Sequence, residues 1–392
     1  MWSRSCPLIT MVVLIATVTF FSPYPAISQP IQHVPSKEWT DEALLSSANI
    51  LEKSQIPVQV KGIYVTGRTA GNSNFMKLLN LVNETELNAM VIDVKEDEGR
   101  LTYKSTIPLV RQIHSDKTNF ISDVDKLLNT LHDHHVYTIA RIVCFKDPFL
   151  SRMKAEWAMQ KKTGGVWTDK KGTMWIDPYR KEVWDYNIAI AKEAAKKGFR
   201  EIQFDYVRFP DNGKRVDQEV EFHQQNGKAK QEVIADFLAY ARKELAPYHV
   251  FVSADVFGLV PSVPDDMGLG QKWELISSKV DYVSPMMYPS HYARGTYGIK
   301  IPDSQPYETI YYSLQDAQKR DIQMRNRGQH PAIIRPWYQD FTARWVKGHI
   351  TYGPREVALQ IKAGQDAGID QYLIWDAANT YSEAAWRKSR QR

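Results

Sequence analysis

Apolar residues along this chain gather in eight short runs, at residues 60–67, 88–97, 136–145, 200–209, 249–258, 281–289, 332–341 and 371–379. Each has the length and the β-branched and aromatic content of a strand. Between them lie stretches with helical spacing, at 74–86, 120–135, 181–199, 231–248, 310–321 and 354–368. Gly198 stands where the third of these should stop. Strand–helix alternation implies parallel pairing, and eight such units predict an α/β fold, a (β/α)8 TIM barrel. An open doubly wound sheet is the alternative. It usually has fewer strands, and no G-x-G-x-x-G turn follows the first run. The pattern places the barrel in residues 58–392, behind a Pro/Gln-rich linker and a short amphipathic helix in 29–57.

The two longest connections, 146–180 and 289–308, follow the third and sixth runs. Both lie on the C-terminal side of a strand, the side on which such barrels carry their sites. The fourth run raises the sharpest question. In "EIQFDYVRFP", Gln203 and Asp205 share one face, while Phe204 and Tyr206 share the other. If the aromatic face meets the helices, Asp205 points into the barrel mouth. On the fifth run Ser253 and Asp255 alternate in the same way. Adjacent strands lie about 4.8 Å apart, so two such carboxylates can approach the roughly 5–5.5 Å separation of a retaining glycosidase. The bland reading is an inward aspartate held structurally by Arg208 or by strand-end amides.

Other charged, amide and aromatic groups end strands as well. They are Asp93, Lys95 and Asp97 on the second, Arg141 on the third and Tyr288 after the sixth. Arg335, Trp337, Gln339 and Asp340 end the seventh, and Trp375 and Asp376 the eighth. Rings that stack on sugar faces, among groups that take hydroxyls, are expected to line a carbohydrate subsite. Trp157, Trp167 and Trp175 fit either a sugar cleft or loop packing. The acidic turn at 95–99 fits a solvated turn, and "HDHH" at 132–135 a solvated helix end.

Composition narrows the classes further. A hydrophobic fraction of 43%, with 11 Trp, 20 Tyr and 14 Phe, supports a large core. A formal charge of +5 on 392 residues gives no case for nucleic acid. Residues 1–28 read as an export signal. Arg4 precedes an apolar run too short to span a bilayer comfortably, and small residues stand at Ala26 and Ser28. An uncleaved anchor is the other reading, in which case the membrane is touched only through this segment. Cys6 falls in the signal, and Cys144 sits in an apolar run, so no disulfide is expected. Zincin, Walker and G-x-S-x-G patterns are absent. No metal or other cofactor is expected.

Taken in order, "GIYVTG", "VIDVKEDEG", "ARIVCFKDP", "GGVWTDKKGTMWIDPY", "EIQFDYVRFP", "SADVFG", "SPMMYPSHY", "RPWYQDF" and "YLIWDA" resemble the bacterial family described as a putative glycoside hydrolase domain. The resemblance covers roughly residues 58–385. It implies an exported barrel related to the α-galactosidase-like and amylase-like glycosidases. In those relatives the fourth-strand aspartate is the nucleophile, a role that falls on Asp205. Their acid/base carboxylate ends the fifth or the sixth strand. The sixth run here has no carboxylate, which favours Asp255.

The expectation is therefore a retaining hydrolase of an extracytoplasmic carbohydrate, with Asp205 and Asp255 as catalysts. A carbohydrate-binding barrel without catalysis is the alternative. A Schiff-base lyase using Lys95 or Lys146 is a third class.

Overall fold

A computed structural model describes residues 58–211 and 213–386. The expected export signal and the helix before Pro57 lie outside the described residues. No helix among the described residues is long and apolar enough to cross a membrane.

Eight parallel strands close a barrel. They are β1 (Lys61–Val65), β2 (Ala89–Lys95), β3 (Tyr137–Val143), β4 (Glu201–Asp205), β5 (Phe251–Phe257), β6 (Tyr282–Met286), β7 and β8 (Tyr372–Trp375). β7 comes in two pieces, Ile333–Ile334 and Trp337–Gln339. Each strand pairs with its sequence neighbour, and β8 returns to β1 through Lys61↔Tyr372 and Ile63↔Ile374. The connecting helices are α1 (Phe75–Glu84), α2 (Val124–Asp133), α3 (Lys181–Lys197), α4 (Lys230–Leu245), α5 (Trp273–Ser277), α6 (Pro306–Asn326) and α7 (Pro354–Asp366). The fold is the predicted (β/α)8 barrel.

Period-two alternation sorts the strand residues into two cores. Met90, Ile92, Ala140, Ile142, Ile202, Phe204, Val252, Ala254 and Val283 pack outward against the helices. Tyr64, Ala89, Val91, Ile139, Phe251, Tyr282, Trp337 and Leu373 fill the barrel. The inward residues of β4 are all polar: Glu201, Gln203 and Asp205. Low in the barrel, Glu201 takes the guanidinium of Arg335 and the hydroxyls of Ser253 and Tyr137. That ion pair is sealed from water, so removing one partner would strand a buried charge.

Local chemistry explains the element ends. Gly198 closes α3 at φ 113°, a left-handed cap that favours glycine. The Asp123 carboxylate caps α2 by accepting from the backbone N–H of Lys126 at 2.9 Å. Two features depart from the sequence reading, and a third settles an alternative it left open. The seventh run, expected as one strand, breaks at Arg335–Pro336, because proline has no N–H to give the ladder. α5 has a single turn and too short a period to be seen in the sequence. In the long loop after β3, Trp167 and Trp175 are buried in the outer core, so loop packing rather than a sugar cleft accounts for them.

Candidate active site

Asp205 and Asp255 stand where alternation predicts, inward at the C-terminal ends of adjacent strands. β4 and β5 pair in parallel with Gln203 beside Ser253 and Phe204 beside Ala254. One residue further along that register come the two aspartates, on backbones about 4.8 Å apart. Both line one cleft of ≈ 440 Å³ at the barrel mouth. Asp97, Arg141, Tyr206, Arg208, Tyr288, His291, Trp337 and Trp375 line it with them.

The two carboxylates have different surroundings. Arg141 rises from β3 and reaches three acids. Nε and Nη2 donate to Asp205 Oδ2 at 3.0 and 2.7 Å, Nη1 to Asp93 Oδ1 at 2.7 Å, and Nη2 also to Asp97 Oδ1 at 2.8 Å. Asp205 Oδ1 accepts from the backbone N–H of Tyr206 at 2.6 Å. The charge of Asp205 is thus matched at once by a fixed cation. Asp255 has no such partner. Its Oδ1 accepts from Trp337 Nε1 at 2.8 Å, and no described residue supplies a donor to Oδ2. Burial, and then the charge of Asp205, push the Asp255 carboxyl well above the usual carboxylate range. One acid is paired to a cation while its neighbour favours the proton, a division that acid–base catalysis uses.

The remaining predicted residues divide. Asp97, Arg141, Arg208, Tyr288, Trp337 and Trp375 line the cleft. Asp97 belongs to the acidic turn, yet it is more than a solvated group. Arg141 and Lys146 grip it, and although burial opposes them they hold its carboxyl at about 2. Asp93 lies beneath, fully buried, between Arg141 and the Tyr64 hydroxyl at 2.6 Å.

Five predicted residues are placed elsewhere. Lys95 faces the helix layer, where Nζ meets Asp147 at 2.6 Å and Asn187 Oδ1 at 2.9 Å. The reason is a β-bulge. Asp93 pairs with Arg141 but Lys95 pairs with Ile142, so the intervening Val94 reverses the alternation. Arg335 points inward but low, against Glu201, beneath the cleft. Gln339 is buried and pins loops, with Oε1 accepting from the Ser290 N–H and Nε2 donating to the Phe341 carbonyl. Asp340 is taken by the N–H and hydroxyl of Ser382. Asp376 caps its own turn through the N–H groups of Ala378 and Thr380. Lys146 is held by Asp97 at 3.0 Å, which gives a Schiff base no free amine.

Sequence reasoning left Tyr206, Phe257, Met286 and His291 out of the site, though all line the cleft. Tyr206 was expected to face the helices. The strand ends at Asp205, and Tyr206 takes a left-handed conformation at φ 46°, which turns its ring into the mouth. Nothing in the alternation signals that turn. His291 sits in the loop after β6, and burial lowers its pKa.

A parallel barrel whose mouth sets two aspartates among stacking rings belongs with the barrel hydrolases of glycosidic bonds. Comparison gives the family. The chain belongs to the family described as "Putative glycosyl hydrolase domain", whose model matches residues 62–381. A hypothetical protein from Ruminiclostridium thermocellum is 44% identical, over 53% of this chain and 98% of that one, with a TM-score of 0.46. The PgaB (BpsB) glycoside hydrolase domain from Bordetella bronchiseptica is 13% identical over 85% of this chain and all of that one, with a TM-score of 0.57. The α-galactosidase from Thermus thermophilus, solved with stachyose, is 11% identical over 89% of this chain and 66% of that one, with a TM-score of 0.50. No curated protein matches the chain.

Proposed function

We propose that this glycoside hydrolase works by a retaining, two-aspartate mechanism on an extracytoplasmic carbohydrate. Asp205 Oδ1 attacks the anomeric carbon as the glycosidic bond breaks, and Asp255 gives its proton to the leaving oxygen. Asp255, now ionised, takes a proton from water, and that water releases the sugar from Asp205. Arg141 and the Tyr206 N–H orient the nucleophile, and Trp337 fixes Asp255 so that its proton resides on Oδ2. The observation that carries this reading is the pairing of Asp205 and Asp255 in one register with opposite electrostatic surroundings. The N-terminal sequence supports an exported location.

The test is Asp205→Asn and, with added azide, Asp205→Gly, both assayed on aryl glycosides. A retaining nucleophile predicts a loss of at least about a thousandfold in kcat, or ~4 kcal/mol of barrier. It also predicts partial rescue by azide in Asp205→Gly, where the missing side chain leaves room for the ion. A second reading, a barrel that binds carbohydrate without cleaving it, draws on one observation. Both Asp205 oxygens already accept hydrogen bonds from within the protein, as a purely structural aspartate would. Near-wild-type turnover in Asp205→Asn would overturn the nucleophile assignment. Sugar binding with no turnover in the wild type would establish the second reading.

A further inference from the structure

Beyond the cleft the aromatic surface does not stop. Tyr288, on the cleft wall, meets Phe341 edge-on with ring centroids 5.7 Å apart. Phe341 then stacks on Trp345 at 6.0 Å, with the ring planes 22° apart. Trp345 is 68% exposed, the most exposed large apolar side chain among the described residues. Burying a tryptophan is among the largest single gains that folding offers. This one stands in water on the rim of a carbohydrate cleft, with its inner face supported by another ring.

The two loops that form this rim are one unit. Arg294, from the loop after β6, donates to the carbonyl of Lys347 in the loop after β7 at 3.2 Å. Asp303 of the first loop accepts from the Ile350 N–H of the second at 3.2 Å. Gly348 stands at φ 83°, in the left-handed region that favours glycine, and the tip of the Ile301 side chain lies 2.6 Å from where its Cβ would be. The exposed charge on this unit is one-sided, since Asp303 is buried. No carboxylate occurs from Tyr288 to Pro302 or from Phe341 to Arg355. Arg294, Lys300, Arg344 and Lys347 are all exposed, and none pairs with a carboxylate among the described residues.

We infer that this rim is a distal subsite for an anionic polysaccharide, one carrying carboxylate or phosphate groups. Trp345 stacks on a sugar several units from the bond that is cut. Arg294, Lys300, Arg344 and Lys347 take the negative groups on either side of it. The substrate is then a polymer, and the chain extends from the cleft over the loops after β6 and β7. The inference rests on the proposed reading of the cleft as the place where the glycan is held for cleavage. Its charge complementarity comes from two loops that the catalytic reading does not use. Long-range attraction to such a patch weakens with salt, whereas ring stacking does not.

Binding in the Asp205→Asn background separates the two claims, because it reads retention without turnover. The measurement is native affinity electrophoresis through gels holding polygalacturonate, alginate or hyaluronan, with methyl-esterified pectin and hydroxyethyl cellulose as neutral counterparts. The expected result is retardation by at least one anionic polymer and weak or no retardation by the neutral ones. Trp345→Ala should weaken retention about tenfold without altering net charge or the melting temperature. Arg294→Gln with Lys347→Gln should weaken it and flatten its salt dependence. Retention unchanged by Trp345→Ala overturns the subsite. Equal retention on neutral polymers overturns its anionic specificity. No retention on any polymer overturns both. A catalytically competent Asp205→Asn would instead overturn the nucleophile and leave this result standing.

Discussion

At the scale of single residues, Arg141 matters most to this site after the aspartates. It is 1% exposed and touches Asp93, Asp97 and Asp205. Removing it leaves carboxylates buried without their cation, which costs about 3–5 kcal/mol in comparable cases. Arg141→Met is therefore expected to lower the melting temperature by ten degrees or more, or to abolish soluble expression. Arg141→Lys should fold better yet lose turnover, because an ammonium cannot reproduce the guanidinium's fixed contacts. Asp255 behaves in the opposite sense. Its pKa is raised, so the folded state holds the proton more tightly than the unfolded chain. Its contribution to stability is present below about pH 4, the unfolded carboxyl value, and is lost as pH rises toward its folded pKa. Asp255→Asn should then raise the melting temperature at pH 7 while reducing activity on substrates with poor leaving groups. Activated aryl glycosides should suffer least in the first step. A destabilised, fully active Asp255→Asn would sink both the electrostatic and the catalytic assignments. The wild-type rate should also fall as pH rises through the Asp255 pKa, since the acid must carry its proton.

At the scale of elements, the eight runs and six of the seven connecting helices were legible because long segments of clear period carry their own signal. Inward placement followed wherever alternation was unbroken, which is why Asp205, Asp255, Arg141 and Trp337 could be aimed correctly from the sequence. It failed at three local events. The bulge after Asp93 sends Lys95 outward, the left-handed turn at Tyr206 sends its ring inward, and Pro336 interrupts β7. The first two depend on tertiary contacts that a window of neighbours does not contain, whereas the third lies in the proline itself, which has no N–H for the ladder. Arg335, Gln339, Asp340 and Asp376 mark a different limit. A polar residue at a strand end can serve a substrate or hold a loop, and only its partners tell which. Gln339 makes the point testable. It ties Ser290, Phe341 and Asp303 together, so Gln339→Ala should cost about 1–3 kcal/mol in unpaired buried groups. A change in KM larger than the change in kcat should accompany that loss, measured on the same variant.

At the scale of the whole molecule, stability should depend on pH in a definite direction. Burial pushes Asp177, Asp321 and Asp340 up to about 6. Each binds its proton more tightly when folded, so the stability it contributes is complete below about pH 4 and lost as pH rises to about 6. Asp97, held at about 2, works in the other direction, and its contribution fades as pH falls from about 4 toward 2. Thermal melts from pH 3 to 8 should show falling stability across the interval from about 4 to 6, shallower in Asp340→Asn. A melting temperature that climbs steadily through that interval would count against these burial effects.

The single extra residue in β2 has a consequence for anyone who edits or aligns this chain. Position along a strand acts as parity, and Val94 switches it. Upstream, odd numbers face the sugar side; at Lys95 an odd number faces the helices, where its ammonium meets Asp147 in a dry pocket. A deletion of Val94 would look minor by length and hydrophobicity. It would instead close the bulge, leaving Lys95 opposite Ile142 and still facing the helices, while taking the Val94 side chain from the outer core and removing the carbonyl that accepts from the Thr102 N–H at 3.0 Å. We expect the deletion to be worse tolerated than Val94→Ala, and worse than losing any exposed loop residue, in a comparison of soluble yield. Asp93 on the mouth side and Lys95 behind it set an arginine-bearing and a lysine-bearing network back to back across one strand.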